Sequence, residues 1–227
     1  RICMPVITKS DDLAALAERL RDEPYLTVDT EFLRDSTYYA KLCLVQIAGK
    51  DEAVCIDPLA DGIDLQPLFD LLSNPKILKV FHAARQDLEI FYQLMGKVPT
   101  PLFDSQIAAM VCGYGESVGY EQLVREIAHQ TLDKSNRFTD WSRRPLSDAQ
   151  AKYALADVTH LRQIYEFLAR KLEQTGRARW VQEELEILTS PDTYVTPPRE
   201  AWRRVKTRTN SPKFLALVRE LAAFREE

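Results

Sequence analysis

The hydrophobic pattern of this chain changes period near residue 57, and that change limits the folds open to it. Before it lie three apolar runs of strand character, Tyr25-Leu26-Thr27-Val28, Leu42-Cys43-Leu44-Val45-Gln46-Ile47 and Ala53-Val54-Cys55-Ile56-Asp57. The last two are joined around Gly49-Lys50-Asp51, so the three read as a meander. A long polar and aromatic connection, residues 32–41, separates the first from the second. Beyond residue 57 the spacing predicts a helix over 65–72, a strand over 77–81 and a helix over 84–94 closed by Gly96 and Pro99. A short strand over 102–104 and a helix over 105–111 follow. Strand–helix–strand alternation implies parallel neighbours joined by right-handed crossovers. A meander feeding parallel strands gives an α/β fold, a mixed five-stranded sheet with helices laid on it.

The flanking segments are helical. Ser10 is expected to cap a helix that places Leu13, Leu16, Ala17 and Leu20 on one face. Residues 119–129 read as a helix and 131–146 as a polar loop. Ser147 caps a long helix through Leu155, Leu161, Ile164 and Leu168 that ends near Gly176, and helix resumes over 177–188. Pro191, Pro197 and Pro198 break the pattern. The expected division is a main domain over 1–190, a linker over 191–210 and a separate helix over 211–227. That helix opens at Ser211-Pro212 and carries the stripe Phe214, Leu217, Val218, Leu221 and Phe224, which one helix cannot bury by itself. It either docks on the main domain or begins a further one. Arg1 is not an initiator residue, so the chain reads as trimmed or as a fragment.

Composition excludes more than it selects. The 227 residues are 45% hydrophobic and 28% charged, an ordinary globular balance. A net charge of −4 gives no global signal for nucleic acid. No apolar run is long enough to cross a membrane, and no signal-peptide core is present. The four cysteines form no C-x-x-C and are not spaced with the three histidines as zinc ligands. They read as buried thiols in a reducing compartment, the cytoplasm.

The chemistry begins with two acids at the end of the first strand. Asp29 and Glu31 are i and i+2, so both carboxylates face one way. Like charges that close raise each other's pKa and are relieved by a cation between them. Oxygen ligands without nearby Cys or His suit a hard ion, Mg²⁺ or Mn²⁺. Two later stretches offer further carboxylates. Asp87 lies in the first turn of the helix after Phe81, and Tyr153 and Asp157 are i and i+4 on one face of the long helix.

Taken together these stretches resemble the three motifs of the DEDD nuclease superfamily, tyrosine branch: Asp-x-Glu on a strand, a later Asp, and Tyr-x-x-x-Asp on a late helix. The likeness extends to the ribonuclease D family in Val28-Asp29-Thr30-Glu31-Phe32, residues 82–88, Leu132-Asp133-Lys134-Ser135 before Asp140-Trp141, and Arg144-Pro145-Leu146 before residues 150–158. It covers about residues 5–190 in order. The helix from Ser211 resembles the first helix of the HRDC-type domain that follows the nuclease in that family. One departure is His82, where many relatives in the superfamily carry Asn.

The resemblance implies a ribonuclease H-like fold and 3′-to-5′ exonuclease activity on the single-stranded 3′ end of RNA, transfer-RNA precursors in the family, releasing nucleoside 5′-monophosphates. It implies two divalent metal ions held by Asp29, Glu31, Asp87 and Asp157, about 3.5–4 Å apart as in two-metal phosphoryl transfer. Asp29 would bridge the ions, Glu31 and Asp157 serve one, and Asp87 serve the other through water. Tyr153 would orient the attacking water. The loop with Lys134, Arg137, Arg143 and Trp141 is the expected guide for the strand, since bases stack on aromatics and guanidinium groups hold phosphates. Phe32, Gln46 and His82 are further candidates for the terminal nucleotide. A monomer with no membrane partner is expected. The competing readings are a DNA exonuclease of the same superfamily, which the acids alone do not separate from an RNA enzyme, and a non-catalytic RNA-binding domain.

Overall fold

The computed structural model describes residues 6–34, 37–133, 135 and 139–226. The chain divides into two compact units, Arg1–Thr189 and Ser190–Glu227.

The first unit is built on a mixed sheet in the order β1-β4-β3-β2-β5-β6. Its members are β1 (Val6–Ile7), β2 (Tyr25–Leu33), β3 (Lys41–Ala48), β4 (Ala53–Ile56), β5 (Leu78–Phe81) and β6 (Leu102–Asp104). The meander β2-β3-β4 is antiparallel, and β5 and β6 join it in parallel beside β2. The sheet therefore has six strands rather than five. The sixth is β1, whose two residues pair in parallel with Cys55 and Ile56, too short a run to leave a period in the sequence. β3 is buried from Leu42 to Ala48, as a strand covered on both faces must be.

Helix α1 (Ser10–Leu20) buries Leu13, Leu16 and Leu20, yet Ser10 is not its cap. Lys9 stands there, and the Ser10 hydroxyl instead accepts the Asp64 N–H at 2.8 Å. The hairpin from β3 to β4 passes so close to α1 that a Cβ on Gly49 would lie 2.6 Å from Leu20 Cδ2. The next helices are α2 (Gln66–Ser73), α3 (Arg85–Met95) and α4 (Ser105–Val111). The helix expected over 119–129 is α5 (Tyr120–Leu123) followed by a π turn at Val124–Ala128, which His129 closes with φ 54. The long helix α6 (Asp148–Thr175) has a complete capping box between Ser147 and Gln150 and ends on left-handed Gly176. It crosses β2, β3, β4 and β5 on one face of the sheet. Helix α7 (Ala178–Thr189) closes the unit.

Two cations, Lys79 and Arg144, tie loops to this frame. Lys79 is fully buried, and its ammonium donates to the carbonyls of Asn74, Ile77 and Thr100. Arg144 grips Asp57 with two bonds of 2.6 Å and also donates to the carbonyls of Cys43, Trp141 and Arg143.

The second unit holds short 3₁₀ turns at Pro191–Thr193 and Pro198–Arg204 and helix α8 (Pro212–Glu226), which packs on the second turn. Within it α8 turns Ala222 inward and leaves Phe214, Leu217, Leu221 and Phe224 exposed.

Candidate active site

The strand β2 brings its two acids to the centre of the sheet. Asp29 lies opposite Gln46 and Glu31 opposite Leu44 on β3, so both side chains share the face that α6 crosses. Helix periodicity then brings Tyr153 and Asp157 over that face, one turn apart. Carboxylate oxygens of Asp29, Glu31 and Asp157 lie within 4.8 Å of one another. Asp87 enters from the first turn of α3 and is only 7% exposed. The Thr30 hydroxyl donates to Asp87 Oδ1. Asp29, Glu31 and Asp157 are thus brought to one place, with Asp87 beside them and close enough to bear on Glu31.

The electrostatics follow from that crowding. Burial pushes Asp29 well above the usual carboxylate range, and the charge of Asp157 adds to the effect. Burial and then Asp29 raise Asp87 in the same way, against the Thr30 hydrogen bond. Glu31 is pushed up to about 9, first by burial and then by Asp29, Asp157 and Asp87. Among the described residues no lysine or arginine figures in the influences on Asp29, Glu31 or Asp87. Four acids that close are tolerable as carboxylates only if a cation offsets them. The donor set is oxygen alone, which fits a hard divalent ion.

Asp29 and Asp157 open on a cavity of about 270 Å³ that is also lined by His82, Tyr120, Tyr153 and Leu161, together with Gly119, Glu121 and Leu132. His82 therefore does face the site. Burial lowers its pKa, so the ring is neutral, and Nδ1 lies 2.9 Å from Ser105 Oγ. Tyr120 is a residue that the sequence reading missed. Its hydroxyl donates to the Asp157 carbonyl, and its ring lies 5.4 Å from that of His82. Only the preceding Gly119 hints at it, as a possible helix start.

The substrate candidates divide. Phe32 follows an irregularity in the β2–β3 register between Glu31 and Phe32 and stays partly exposed. Arg143 is exposed and pairs with Asp140 at 3.2 Å. Lys134 and Arg137 lie outside the described residues. Two expectations are corrected. Gln46 is fully buried, so it offers no surface to a nucleotide, and its amide nitrogen and oxygen have no partner among the described residues. Trp141 is 3% exposed and packs with Cys43, Leu44, Cys55, Ala154 and Leu155. The Arg144–Asp57 pair draws that loop onto the sheet, so the indole supports Tyr153 from behind (6.0 Å between rings) and presents no face to a base.

The comparisons with known proteins agree with this geometry. The profile described as 3′-5′ exonuclease matches residues 4–173. The chain is 61% identical over 224 residues to a protein named Ribonuclease D from Jannaschia sp. (strain CCS1), covering 97% of this chain and 58% of that one. It thus spans less than two thirds of that relative's length. It is similar to the crystal structure of Escherichia coli RNase D, with TM-score 0.89 and 38% identity over 99% of this chain and 60% of that chain. It is also similar to Brucella melitensis NrnC with bound Mg²⁺, with TM-score 0.69 and 25% identity over 92% of this chain and 97% of that one. A shared profile over most of the chain, and a relative that is 61% identical, lead to one conclusion: the chain belongs to the 3′-5′ exonuclease family.

Proposed function

We propose that this chain is the catalytic part of a ribonuclease D-type enzyme, a 3′-5′ exoribonuclease that shortens RNA from its 3′ end and releases nucleoside 5′-monophosphates. The observation that carries the reading is the cluster of Asp29, Glu31 and Asp157, with Asp87 beside it, opening on a cavity shared with Tyr153 and His82. Asp29, Glu31, Asp87 and Asp157 hold two divalent ions, Mg²⁺ or Mn²⁺. Bound there, the ions supply an activated water and offset the charge that grows on the phosphoryl oxygens and the leaving 3′ oxygen.

The side chains do the positioning. Tyr153 orients the attacking water through its hydroxyl. A phenol ordinarily titrates near 10, so this is placement rather than proton abstraction. His82, a neutral ring fixed by Ser105, forms the wall against which the terminal nucleotide rests. Arg143 and the outer part of its loop meet the phosphates of the incoming strand. The natural substrates are transfer-RNA precursors with single-stranded 3′ tails, in keeping with the printed description of the E. coli relative as an exoribonuclease involved in structured RNA processing. Residues 1–190 form the nuclease domain, 191–210 a linker, and 211–227 the first helix of an HRDC-type domain. The chain acts as a monomer, since one copy supplies every acid and Tyr153. We assign it to the cytoplasm. Among the described residues no helix is long and apolar enough to cross a membrane, and Cys43, Cys55 and Cys112 are free thiols.

The test is a time course on a 3′-tailed RNA and its DNA counterpart, with Mg²⁺, Mn²⁺ or EDTA. Stepwise loss of 5′-monophosphates from RNA, abolished by EDTA, is expected. Faster loss from DNA would favour the DNA exonuclease reading. Tight RNA binding with no shortening in either metal would leave only a binding domain.

A further inference from the structure

The turn between β5 and α3 is held in a strained conformation by a carboxylate that belongs to neither element. Ala83 has φ 55, in the left-handed region that an alanine rarely enters. Asp104, at the end of β6 and in register with Phe81 at the end of β5, reaches across to this turn. Its Oδ1 accepts the Ala83 N–H at 3.0 Å and its Oδ2 accepts the Ala84 N–H at 2.8 Å. Oδ1 also accepts the Gln106 N–H at 2.8 Å, which caps α4. The side chain is almost wholly buried, at 2% exposure.

Residues on both sides of this turn face the cavity or the acids. His82 precedes Ala83, and its ring is fixed by Ser105, the residue next to Asp104. Asp87 sits three residues past Ala84, in the first turn of the helix that begins there. Three converging N–H groups need an acceptor with two charged oxygens, which aspartate has and asparagine lacks. Strain of this kind persists only where the surroundings over-determine it, and it collects at functional sites.

We infer that Asp104 is a positioning residue: by clamping the left-handed Ala83 turn it sets His82 in the cavity and brings Asp87 to the acid cluster. This rests on the metal-dependent reading of that cluster. Asp104 touches neither metal nor substrate. Its effect therefore passes to metal affinity and turnover, and leaves the grip on the rest of the RNA unchanged.

The experiment compares Asp104→Asn, Ala83→Val and Asp104→Asn with Ala83→Gly against the unaltered chain. Mn²⁺ binding is followed by calorimetry, and kcat and KM on a tailed RNA are measured alongside. Asp104→Asn turns an N–H₂ toward backbone donors, and Ala83→Val opposes the left-handed turn with the carboxylate intact. Both are expected to weaken Mn²⁺ binding and to lower kcat by tenfold or more, with KM within threefold. Ala83→Gly adopts a positive φ without strain and is expected to restore most of the affinity to Asp104→Asn. If Asp104→Asn alone does not fold, Ala83→Val and the double variant decide. Mn²⁺ affinity within twofold of the unaltered chain in a folded Asp104→Asn or Ala83→Val protein would overturn the inference, and so would a loss that Ala83→Gly does not restore. An unaltered chain that binds Mn²⁺ but leaves RNA intact would count against the nuclease reading, and the calorimetry would still judge Asp104. A chain that binds no Mn²⁺ would overturn both.

Discussion

Two sets of acids lie on or beside this one sheet, and they are assembled in opposite ways. Asp57 and Asp104 are 4% and 2% exposed, and each meets donors for both oxygens, from Arg144 in one case and from three N–H groups in the other. Asp29, Glu31 and Asp87 are driven up the pKa scale by burial and by acid neighbours. These two carboxylates come with their partners built into the chain, a guanidinium for Asp57 and backbone donors for Asp104. A carboxylate that serves chemistry is left in company that only a ligand from outside can reconcile.

The widest gap between the two sets is expected from Asp29→Asn. Turnover on RNA should fall about a thousandfold, as when a preorganised electrostatic group is removed. The melting temperature in EDTA should stay level or rise, since one of the repelling acids is neutralised. A loss of stability in EDTA would break the distinction between the sets. Tyr153→Phe should come next, with turnover down about a hundredfold as the water loses its placement and the Mn²⁺-induced rise in melting temperature intact.

Arg144→Met tests the structural set. It leaves Asp57 buried beside no guanidinium, at a cost of about 3 kcal/mol. The melting temperature should drop in EDTA and in Mn²⁺ alike, whereas the rise caused by Mn²⁺ should survive. A further effect is expected from pH. Glu31 is raised in the folded chain from 4.5 to about 9, so without metal the native state favours its protonated form. That contribution to stability is complete below pH 4.5 and is lost as the pH climbs through 9. In EDTA the melting temperature should therefore decline across this window, and Glu31→Gln should flatten the decline. The least effect belongs to Arg143→Ala. This exposed side chain should change RNA affinity about twofold to threefold and lower the salt dependence slightly, with turnover at saturation unchanged.

The acids were legible because secondary structure repeats. A spacing of two on a strand and of four on a helix each fix a face, and Asp29, Glu31, Tyr153 and Asp157 all lie in such segments. Asp87 has no such partner in sequence, and only its resemblance to a known motif placed it. The loop from 131 to 146 has no period, so nothing in it showed that Arg144 would find Asp57 and sink Trp141 into the core. The clamp at Asp104 was hidden for a similar reason. It joins residues about twenty positions apart through backbone donors, which carry no side-chain signature. Strand β1 was too brief to register, and Gln46 read as a candidate for the terminal nucleotide until its register with Asp29 and Cys55 placed it between two covered strands.

One feature of β2 bears on how the molecule breathes. Its parallel partner β5 pairs only with Tyr25, Leu26 and Thr27, whereas β3 accompanies it as far as Leu33. The strand is thus held by β5 alone where it enters the sheet, by both neighbours at Thr27, and by β3 alone where Asp29 and Glu31 stand. Amide hydrogen exchange should follow that division, slowest around Thr27 and faster past the irregularity at Glu31 and Phe32, by opening too small to expose the core. The chain would then be stiffest at Thr27 and more compliant toward the tip of the same strand, with the acids just past the stiff point. There they can adjust by fractions of an ångström as ligand arrives and departs, without any movement of the sheet that carries them.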